Sequence, residues 1–493
     1  MKRLLIANRG EIAIRIARTA RKRGIYTIGL AGPGDENSHH ARILDEVHAI
    51  DSYINQEAIL AVASSTGAEA VHPGYGFLSE RDTFADGVRD AGMLFVGPPG
   101  EAMRRLGNKI AAKELATESG VPILPGYFRR DATDAELREA AIAAGFPVLL
   151  KASAGGGGRG MRVVHDPDEF DAQLPIARDE AARSFGDGSM MVERYVASPR
   201  HIETQFLADA HGNVAVLFER ECSIQRRHQK LIEEAPAARA GFDWESMRAA
   251  TIRLVKAAGY VGAGTAEFLV DATTGEFFFL EVNARLQVEH PVTELITGLD
   301  LVAWQLRIAE GEALDLAPRI FDGDRSAIRG RAIEARIIAE DPSRNFLPST
   351  GLIKRWVQPN HPNVRIDAGF EQGDTVSSFY DSMVAKVIAH GETRLDAIDA
   401  LDAALADFHV LGIATNIGFI RDLLADIEFR SGDLDTGFFA GFLERRPERE
   451  IPLQLGDLVR FATAGGGVSP EPERLGSPWE TADGWRGTRS RHP

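Results

Sequence analysis

Cysteine is almost missing from this chain: Cys222 is the only one in 493 residues. That excludes internal disulfides and cysteine-built zinc clusters, and a reducing compartment, the cytoplasm, is expected. Long apolar runs are missing too, none approaching the ~18–20 residues that cross a bilayer. No signal or transit segment is recognised ahead of the apolar strand that begins at Leu4. Positive charge is in deficit, with 56 Lys plus Arg against 72 Asp plus Glu, a net charge of −16. Nucleic-acid and anionic-membrane partners are therefore not expected. An anionic substrate must be gripped by a local basic pocket set in an unfavourable overall field. Two nucleotide signatures are also lacking. The dinucleotide glycine fingerprint does not follow the first strand at Asn8–Glu11, and GxxxxGK[ST] does not occur. A nicotinamide cofactor and a Walker-type site are both disfavoured.

What is present is the balance of a globular protein, 44% hydrophobic and 26% charged. The length suggests two to four packed units at roughly 100–200 residues each. Residues 1–108 alternate strand and helix. Leu4–Asn8, Tyr26–Leu30, Ala68–Pro73 and Met93–Gly97 read as strands, and Glu11–Arg23 as a helix with Ile12, Ile16 and Ala20 on one face. That order predicts an α/β unit with a parallel, doubly wound sheet. His72–Glu80 (HPGYGFLSE) is a glycine-rich loop after a strand, readable as a tight turn or as a ligand contact. A second unit, 109–310, opens with a helix at Lys109–Ser119 and becomes rich in hairpins. A third, 329–445, mixes strands (Ala332–Ile338, Gly351–Val357, Met383–Ile388) with a helix at Leu395–Phe408, an α+β texture. Residues 446–493, rich in Pro, Gly, Glu and Arg, read as a linker or loose tail.

Lys151–Met161 (KASAGGGGRGM) is the most unusual string. Gly155, Gly156, Gly157 and Gly158 follow one strand, Phe146–Ala152, and precede another, MRVV. Consecutive glycines let backbone N–H groups fold over a polyphosphate. The order strand, glycines, strand predicts a lid hairpin, with Lys109 and Lys151 as phosphate cations.

Ala266–His290 carries most of the chemistry. AEFLVDA and EFFFLEVN read as a hairpin around Thr273-Thr274-Gly275, a three-residue loop that makes Ala272 face Glu276 and Glu267 face Glu281. Paired carboxylates repel across a strand pair unless a cation lies between them. Asn283 lies on the same face, and an all-oxygen set suits Mg²⁺ or Mn²⁺ rather than zinc. Glu281, Asn283, Arg285, Gln287 and Glu289 then alternate with Val282, Ala284, Leu286 and Val288. An extended chain would line the five polar groups along one face. Such a face offers a metal, a guanidinium for a small oxyanion and a free carboxylate. Gln225–Lys230 (QRRHQK) is a dense basic run followed at once by Glu233 and Glu234. His201 stands beside Arg200, as a structural residue or as a ligand contact.

At these strings the chain resembles the biotin carboxylase component of biotin-dependent acyl-CoA carboxylases, of the ATP-grasp superfamily. The matching strings are IANRGEIAIRI from Ile6, HPGYGFLSE from His72, KASAGGGGRGM from Lys151, ERECSIQRRHQKLIEEAP from Glu219 and EVNARLQVEHPVTELITG from Glu281. RIIAEDP from Arg336 and YDSMVAKVI from Tyr380 continue the match, which spans about 1–443. The resemblance implies an N-terminal Rossmann-like unit, a central ATP-grasp unit with a lid at about 128–200, and a C-terminal unit completing a biotin site. It implies ATP contacts at Lys109, Lys151, the four glycines and His201, with Glu193, Arg194 and Val196 at the adenine. Gln225 and His228 join this set and line the pocket they share with Arg336. Two metal sites would be held by Glu267, Glu281 and Asn283. Bicarbonate would meet Arg285, Gln287, Val288 and Lys230. Glu289 would be the general base, and Arg336 would stabilise the enolate-like biotin anion. The implied reaction converts bicarbonate to carboxyphosphate with ATP and passes CO₂ to biotin.

The chain departs from the family pattern at Ala284, where Thr or Pro is usual, at Arg81, where Asn is common, and over Gly32–His40. No Met-Lys-Met attachment string occurs, so biotin is expected on a separate carrier protein or on a segment missing from this sequence. A carboxyltransferase subunit and a homodimer are implied by the resemblance. Ser477–Gly487 resembles the start of the middle region of longer acyl-CoA carboxylase α-subunits. Two rival readings are another bicarbonate-using ATP-grasp ligase, of the carbamoyl-phosphate type, and a non-catalytic nucleotide-binding scaffold.

Overall fold

The computed structural model describes residues 1–129, 132–152, 161–227 and 229–446, the side chains of Lys109, Ile110 and Phe185 excepted. Gly155 to Gly158, His228, the Lys109 side chain and the expected tail therefore lie outside the described residues.

The N-terminal unit is a five-stranded, all-parallel sheet in the order Glu46–Ala49, Tyr26–Ala31, Arg3–Ile6, Ala70–His72, Leu94–Phe95. The Glu46–Ala49 edge strand was not legible in the sequence, because its residues are half-exposed and lack an apolar run. Leu4, Leu5 and Ile6 are fully buried, the burial on both faces that parallel strands require. Ile12, Ile16 and Ala20 turn one face of the Gly10–Lys22 helix inward.

An eight-stranded antiparallel sheet forms the body. Its order is Phe277–Asn283, Gly262–Asp271, Pro199–Ala208, Val214–Arg226, Gln229–Ala235, Arg331–Ile338, Met383–Gly391, Val364–Ala368. The first five strands come from the second expected unit and the last three from the third. Ile232 pairs with Ala335 and Glu233 with Glu334, so the sheet is continuous across that boundary. Leu5 and Val71 of the parallel sheet share one apolar core with Phe206, Phe268 and Phe279 of the large sheet. A second core, including Ile333, Val387, Leu401 and Phe419, lies at the C-terminal end.

A smaller antiparallel sheet, in the order Gly126–Tyr127, Met190–Arg194, Val148–Ala152, Met161–Val164, has its own core with the helices Asp134–Ala144 and Pro167–Phe185. Thr133 and Glu136 form a reciprocal capping box at the first helix, and Asp166 caps the second. The Gly32–His40 loop meets Tyr380 of the third unit. Arg9 forks onto Asp35 at 2.6 and 2.7 Å and lies 4.1 Å over the Tyr380 ring, whose hydroxyl donates to Pro33 O.

Candidate active site

The hairpin sets Glu267 opposite Glu281, as residue counting predicts, but by another route. Ala272 does not pair with Glu276. Its N–H donates to Ser198 O at 3.1 Å, and the ladder closes instead with Asp271 N–H on Glu276 O at 2.9 Å. The loop is therefore Ala272–Gly275, one residue longer than expected, with Gly275 at φ 74°. Val270 pairs with Phe277 and Phe268 with Phe279. A β-bulge then adds one residue to the second strand, so that Glu267 pairs with Glu281 and Thr265 with Asn283. The longer loop and the bulge cancel.

The extended line of five polar residues is corrected. The strand ends at Asn283, and Arg285, Gln287 and Glu289 lie in a turn that leads into the His290–Thr297 helix. The ladder stops because the Ala284 N–H is taken by Glu80 Oε1 at 3.1 Å and Pro291 opens a helix. Ala284 and Leu286 are buried.

The turn nevertheless brings the polar side chains to one place. Glu267 Oε1 accepts from Asn283 Nδ2 at 2.8 Å, Gln287 Nε2 at 3.0 Å and Lys230 Nζ at 3.1 Å. His201 Nε2 lies 2.8 Å from Glu267 Oε2, and Gln225 Nε2 lies 2.8 Å from His201 Nδ1. Lys230 donates also to Glu203 and Glu289, both at 2.7 Å. Arg336 spans Glu289 Oε2 at 3.1 Å and Glu233 Oε1 at 2.6 Å. Arg285 donates to Asn283 Oδ1 at 2.9 Å and to Glu80 Oε2 at 3.0 Å. The basic run resolves into a hairpin end: Arg226 pairs outward with Glu340 at 2.5 Å, while Lys230 turns inward.

Electrostatics follow from this packing. Burial opposes the Lys230 charge, but Cys222 and the carboxylates of Glu203, Glu267 and Glu289 outweigh it and hold the ammonium well above its ordinary value. Burial also favours neutral Glu289, yet Lys230, Arg336 and Arg220 draw its carboxyl far below the usual range. Glu267 is depressed in the same way by Lys230 and His201 against its burial. Glu233 goes the other way: burial, only partly offset by Arg336, pushes it up to about 7.

Residues that sequence reasoning missed hold the cluster in place. Arg220, fully buried, contacts Glu203, Gln205 at 2.7 Å, Thr293 at 3.0 Å, Thr265 at 3.1 Å and Gln287 at 3.0 Å. An arginine flanked by Glu219 and Glu221, directly after the apolar run 214–218, was the available signal. Glu80 links the HPGYGFLSE loop to Arg285. The loop itself is a turn, with Asn8 Nδ2 donating to Pro73 O and Tyr75 O and the Gly74 N–H donating to His72 Nδ1.

On the smaller sheet, buried Glu193 accepts from both Lys151 and Lys113. Lys113, one helical turn beyond Lys109, was not singled out, because a lone lysine on a helix carries no signal. Arg194 lies 4.9 Å over the Phe278 ring and 3.2 Å from Glu276, and Val196 packs with Leu124 and Phe278. The strands Met190–Arg194 and Phe277–Asn283 are thereby joined.

The donor set of Glu267, Glu281 and Asn283 fits a hard divalent cation: two carboxylates in cross-strand register, one of them held ionised, and an amide oxygen. The donors now gathered on Glu267 mark where positive charge is welcome.

Three family models match the chain: "Biotin carboxylase, N-terminal domain" over 1–103, "Carbamoyl-phosphate synthase L chain, ATP binding domain" over 108–317, and "Biotin carboxylase C-terminal domain" over 334–441. The chain is 44% identical over 485 residues to the mitochondrial methylcrotonoyl-CoA carboxylase subunit alpha of Oryza sativa subsp. japonica, which covers 97% of this chain and 64% of that subunit. It therefore spans less than two thirds of that relative. It is also 44% identical over 443 residues to a biotin carboxylase of Nostoc sp., covering 88% of this chain and 98% of the relative. A solved structure of the biotin carboxylase domain dimer of Hydrogenobacter thermophilus 2-oxoglutarate carboxylase, with MgADP, ADP and bicarbonate, superposes with a TM-score of 0.84. The two chains are 39% identical, over 91% of this chain and 99% of that one. With all three segments matched in order and a full-length relative of the same architecture, the chain belongs to the biotin carboxylase family.

Proposed function

We propose that this chain carboxylates biotin with ATP and bicarbonate, through carboxyphosphate, as the first half-reaction of an acyl-CoA carboxylase. The observation that carries this reading is the Glu289 carboxylate, held between Lys230 at 2.7 Å and Arg336 at 3.1 Å, in the turn that also carries Arg285 and Gln287. Lys230 and Arg285 are proposed to receive bicarbonate, with Gln287 and Val288 completing its site. Bicarbonate competes with Glu289 for Lys230, the one cation assigned to both. Its arrival weakens the hold of that ammonium on the carboxylate, and the proton affinity of Glu289 rises when a proton must be taken. Lys151 and His201, with Lys109 and the glycines, are assigned to ATP, and Glu193, Arg194 and Val196 to its adenine. Gln225 and His228 line the side shared with Arg336, which is assigned to the biotin ureido group. Glu267, Glu281 and Asn283 would hold Mg²⁺ or Mn²⁺; when bound there, the ion neutralises charge on the polyphosphate.

Biotin is proposed to arrive on a biotin carboxyl carrier protein and to pass to a carboxyltransferase subunit, with this chain working as a homodimer. The solved relative described above is itself a domain dimer. Among the described residues no helix is long and apolar enough to cross a membrane. A reducing compartment is proposed from the buried, unpaired Cys222; the methylcrotonoyl-CoA carboxylase relative is a mitochondrial protein. The carbamoyl-phosphate type of ligase remains the second reading, because the match to 108–317 carries that description.

ATP cleavage assayed with bicarbonate, with and without free biotin, tests the proposal. Stimulation by biotin is expected, and Glu289→Gln is expected to keep nucleotide binding while losing about 10²–10⁴-fold in turnover. Cleavage stimulated by ammonia but indifferent to biotin would favour the carbamoyl-phosphate reading. Undiminished turnover in Glu289→Gln would remove the base assignment.

A further inference from the structure

Behind the catalytic turn stands a buried lysine that the mechanism above does not use. Lys386, on the Met383–Gly391 strand, is completely buried. Its strand register sets it directly beside Arg336 on one face of the sheet. The two neighbouring cations reach consecutive residues of the turn. Arg336 holds the Glu289 carboxylate, and Lys386 Nζ donates to the Val288 carbonyl at 2.6 Å.

None of the acids around Lys386 is bonded to it as closely as the Val288 carbonyl. Glu11 Oε1 is farther away, at 3.3 Å, and already accepts from the Tyr75 hydroxyl, while its Oε2 has no partner. Glu334 is fully buried with both oxygens unpartnered, and burial, only partly offset by Lys386, pushes it well above the carboxylate range. Asp367, paired across the strands with Lys386, is engaged by Arg365 at 2.5 Å and Arg18 at 3.0 Å. Among the described residues, the shortest bond that Lys386 makes is to a main-chain carbonyl. Burying an ammonium costs several kcal/mol, and here the closest group to receive it is a peptide carbonyl, with the Glu11 carboxylate farther off.

That peptide is the one joining Val288 to Glu289. Its neighbour is anchored as well, the Gln287 carbonyl accepting from His290 Nδ1 at 2.8 Å and from the His290 N–H at 3.3 Å. Successive carbonyls of the turn are thus pinned, one by the helix that follows and one by the strand beneath. We infer that Lys386 is a positioning residue, whose ammonium fixes the plane of the Val288–Glu289 peptide and so the point from which Glu289 reaches the bound anion. The inference rests on the reading of Glu289 as the base, and its test separates the two.

The experiment measures two things in Lys386→Met, which cannot donate, and Lys386→Gln, which retains a donor. Hydrogen–deuterium exchange of amides in 286–292 reports the turn without reference to catalysis. Steady-state kinetics report bicarbonate and ATP separately. Expected for Lys386→Met is exchange about tenfold faster in 286–292 and little changed elsewhere in the sheet. A KM for bicarbonate raised about tenfold and a lowered kcat should accompany it, with the KM for ATP within about twofold of the parent. Lys386→Gln should fall between parent and Met. Unchanged exchange in 286–292 overturns the inference. So do losses that spread through the sheet, parallel rises in both KM values, or failure of both variants to fold, since each assigns Lys386 a purely structural role. A parent without bicarbonate-dependent activity sinks the functional reading instead, and the exchange data alone then decide what Lys386 holds.

Discussion

Arg220 shows how much of this site is built from groups whose polar atoms are engaged by the protein itself. A guanidinium has five N–H donors, and all five are used, on Glu203, Gln205, Thr293, Thr265 and Gln287. One residue thereby sets two strands, a helix and the turn that carries Gln287 relative to one another. Glu233 poses the opposite problem. Its Oε2 is buried without a partner, and its carboxyl is raised from an ordinary 4.5 to about 7. A raised acid binds more protons folded than unfolded, so its contribution to stability is fully present below about pH 4.5 and is lost as pH rises toward 7. Glu233→Gln keeps the acceptor for Arg336 and removes the titration. The difference in melting temperature, variant minus parent, is therefore expected to become more positive between pH 5 and 7. A flat difference across that range would mean that Glu233 is ionised throughout. At this scale the sequence was partly legible. Lys230, Glu289, Arg285 and Arg336 were named and do converge. Glu80, Arg220 and Glu233 were quoted within strings but given no task, because tasks at a buried site depend on which oxygen faces which nitrogen, and spacing does not encode that.

The hairpin is the element on which the metal-binding proposal turns, and its sequence was read correctly for an incomplete reason. Counting residues around Thr273-Thr274-Gly275 gives the pairing of Glu267 with Glu281, yet the loop is one residue longer and a bulge restores the count. Ala272 is drawn off by Ser198, a contact distant in sequence that no local rule contains. The alternation beyond Asn283 misled in the same manner. Polar and apolar residues alternate in a strand, but they also alternate through a turn whose Leu286 faces a core and whose Ala284 N–H is claimed by Glu80. Gly275 is the residue that the loop cannot exchange. It stands at φ 74°, and a Cβ there would lie 2.4 Å from the Gly241 carbonyl oxygen. Gly275→Ala should destabilise by about 1–3 kcal/mol, combining left-handed strain with a clash against backbone. A lowered urea midpoint is the measurement, and an unchanged midpoint would show that the loop can reshape. The bulge lies between the tip and the carboxylates. The folded fraction should therefore retain the Glu267–Glu281 pairing and the parent KM for ATP.

At the scale of the whole molecule, the boundary in the sequence between the second and third units is not a boundary in the sheet. The Arg331–Ile338 strand pairs on one side with Gln229–Ala235 and on the other with Met383–Gly391. It carries Arg336 into contact with Glu289, and its neighbour carries Lys386 to Val288. Composition shifts mark where the chain changes texture, but hydrogen bonding between strands about a hundred residues apart leaves no trace in local composition. The fold class was legible from periodicity and the continuous sheet was not. A fragment ending at residue 328 would bare the Gln229–Ala235 strand as an unpaired edge and leave Glu233 buried without Arg336. Such a fragment is expected to be poorly soluble and to lack turnover even though it keeps the carboxylate hairpin and the helix that begins at Lys109. Adding residues 329–446 in trans should not restore activity, because the second core includes Ile232 from one piece and Ile333 from the other. A soluble 1–328 fragment that cleaves ATP in response to bicarbonate would show that the two units are independent and that the shared sheet is a consequence of docking.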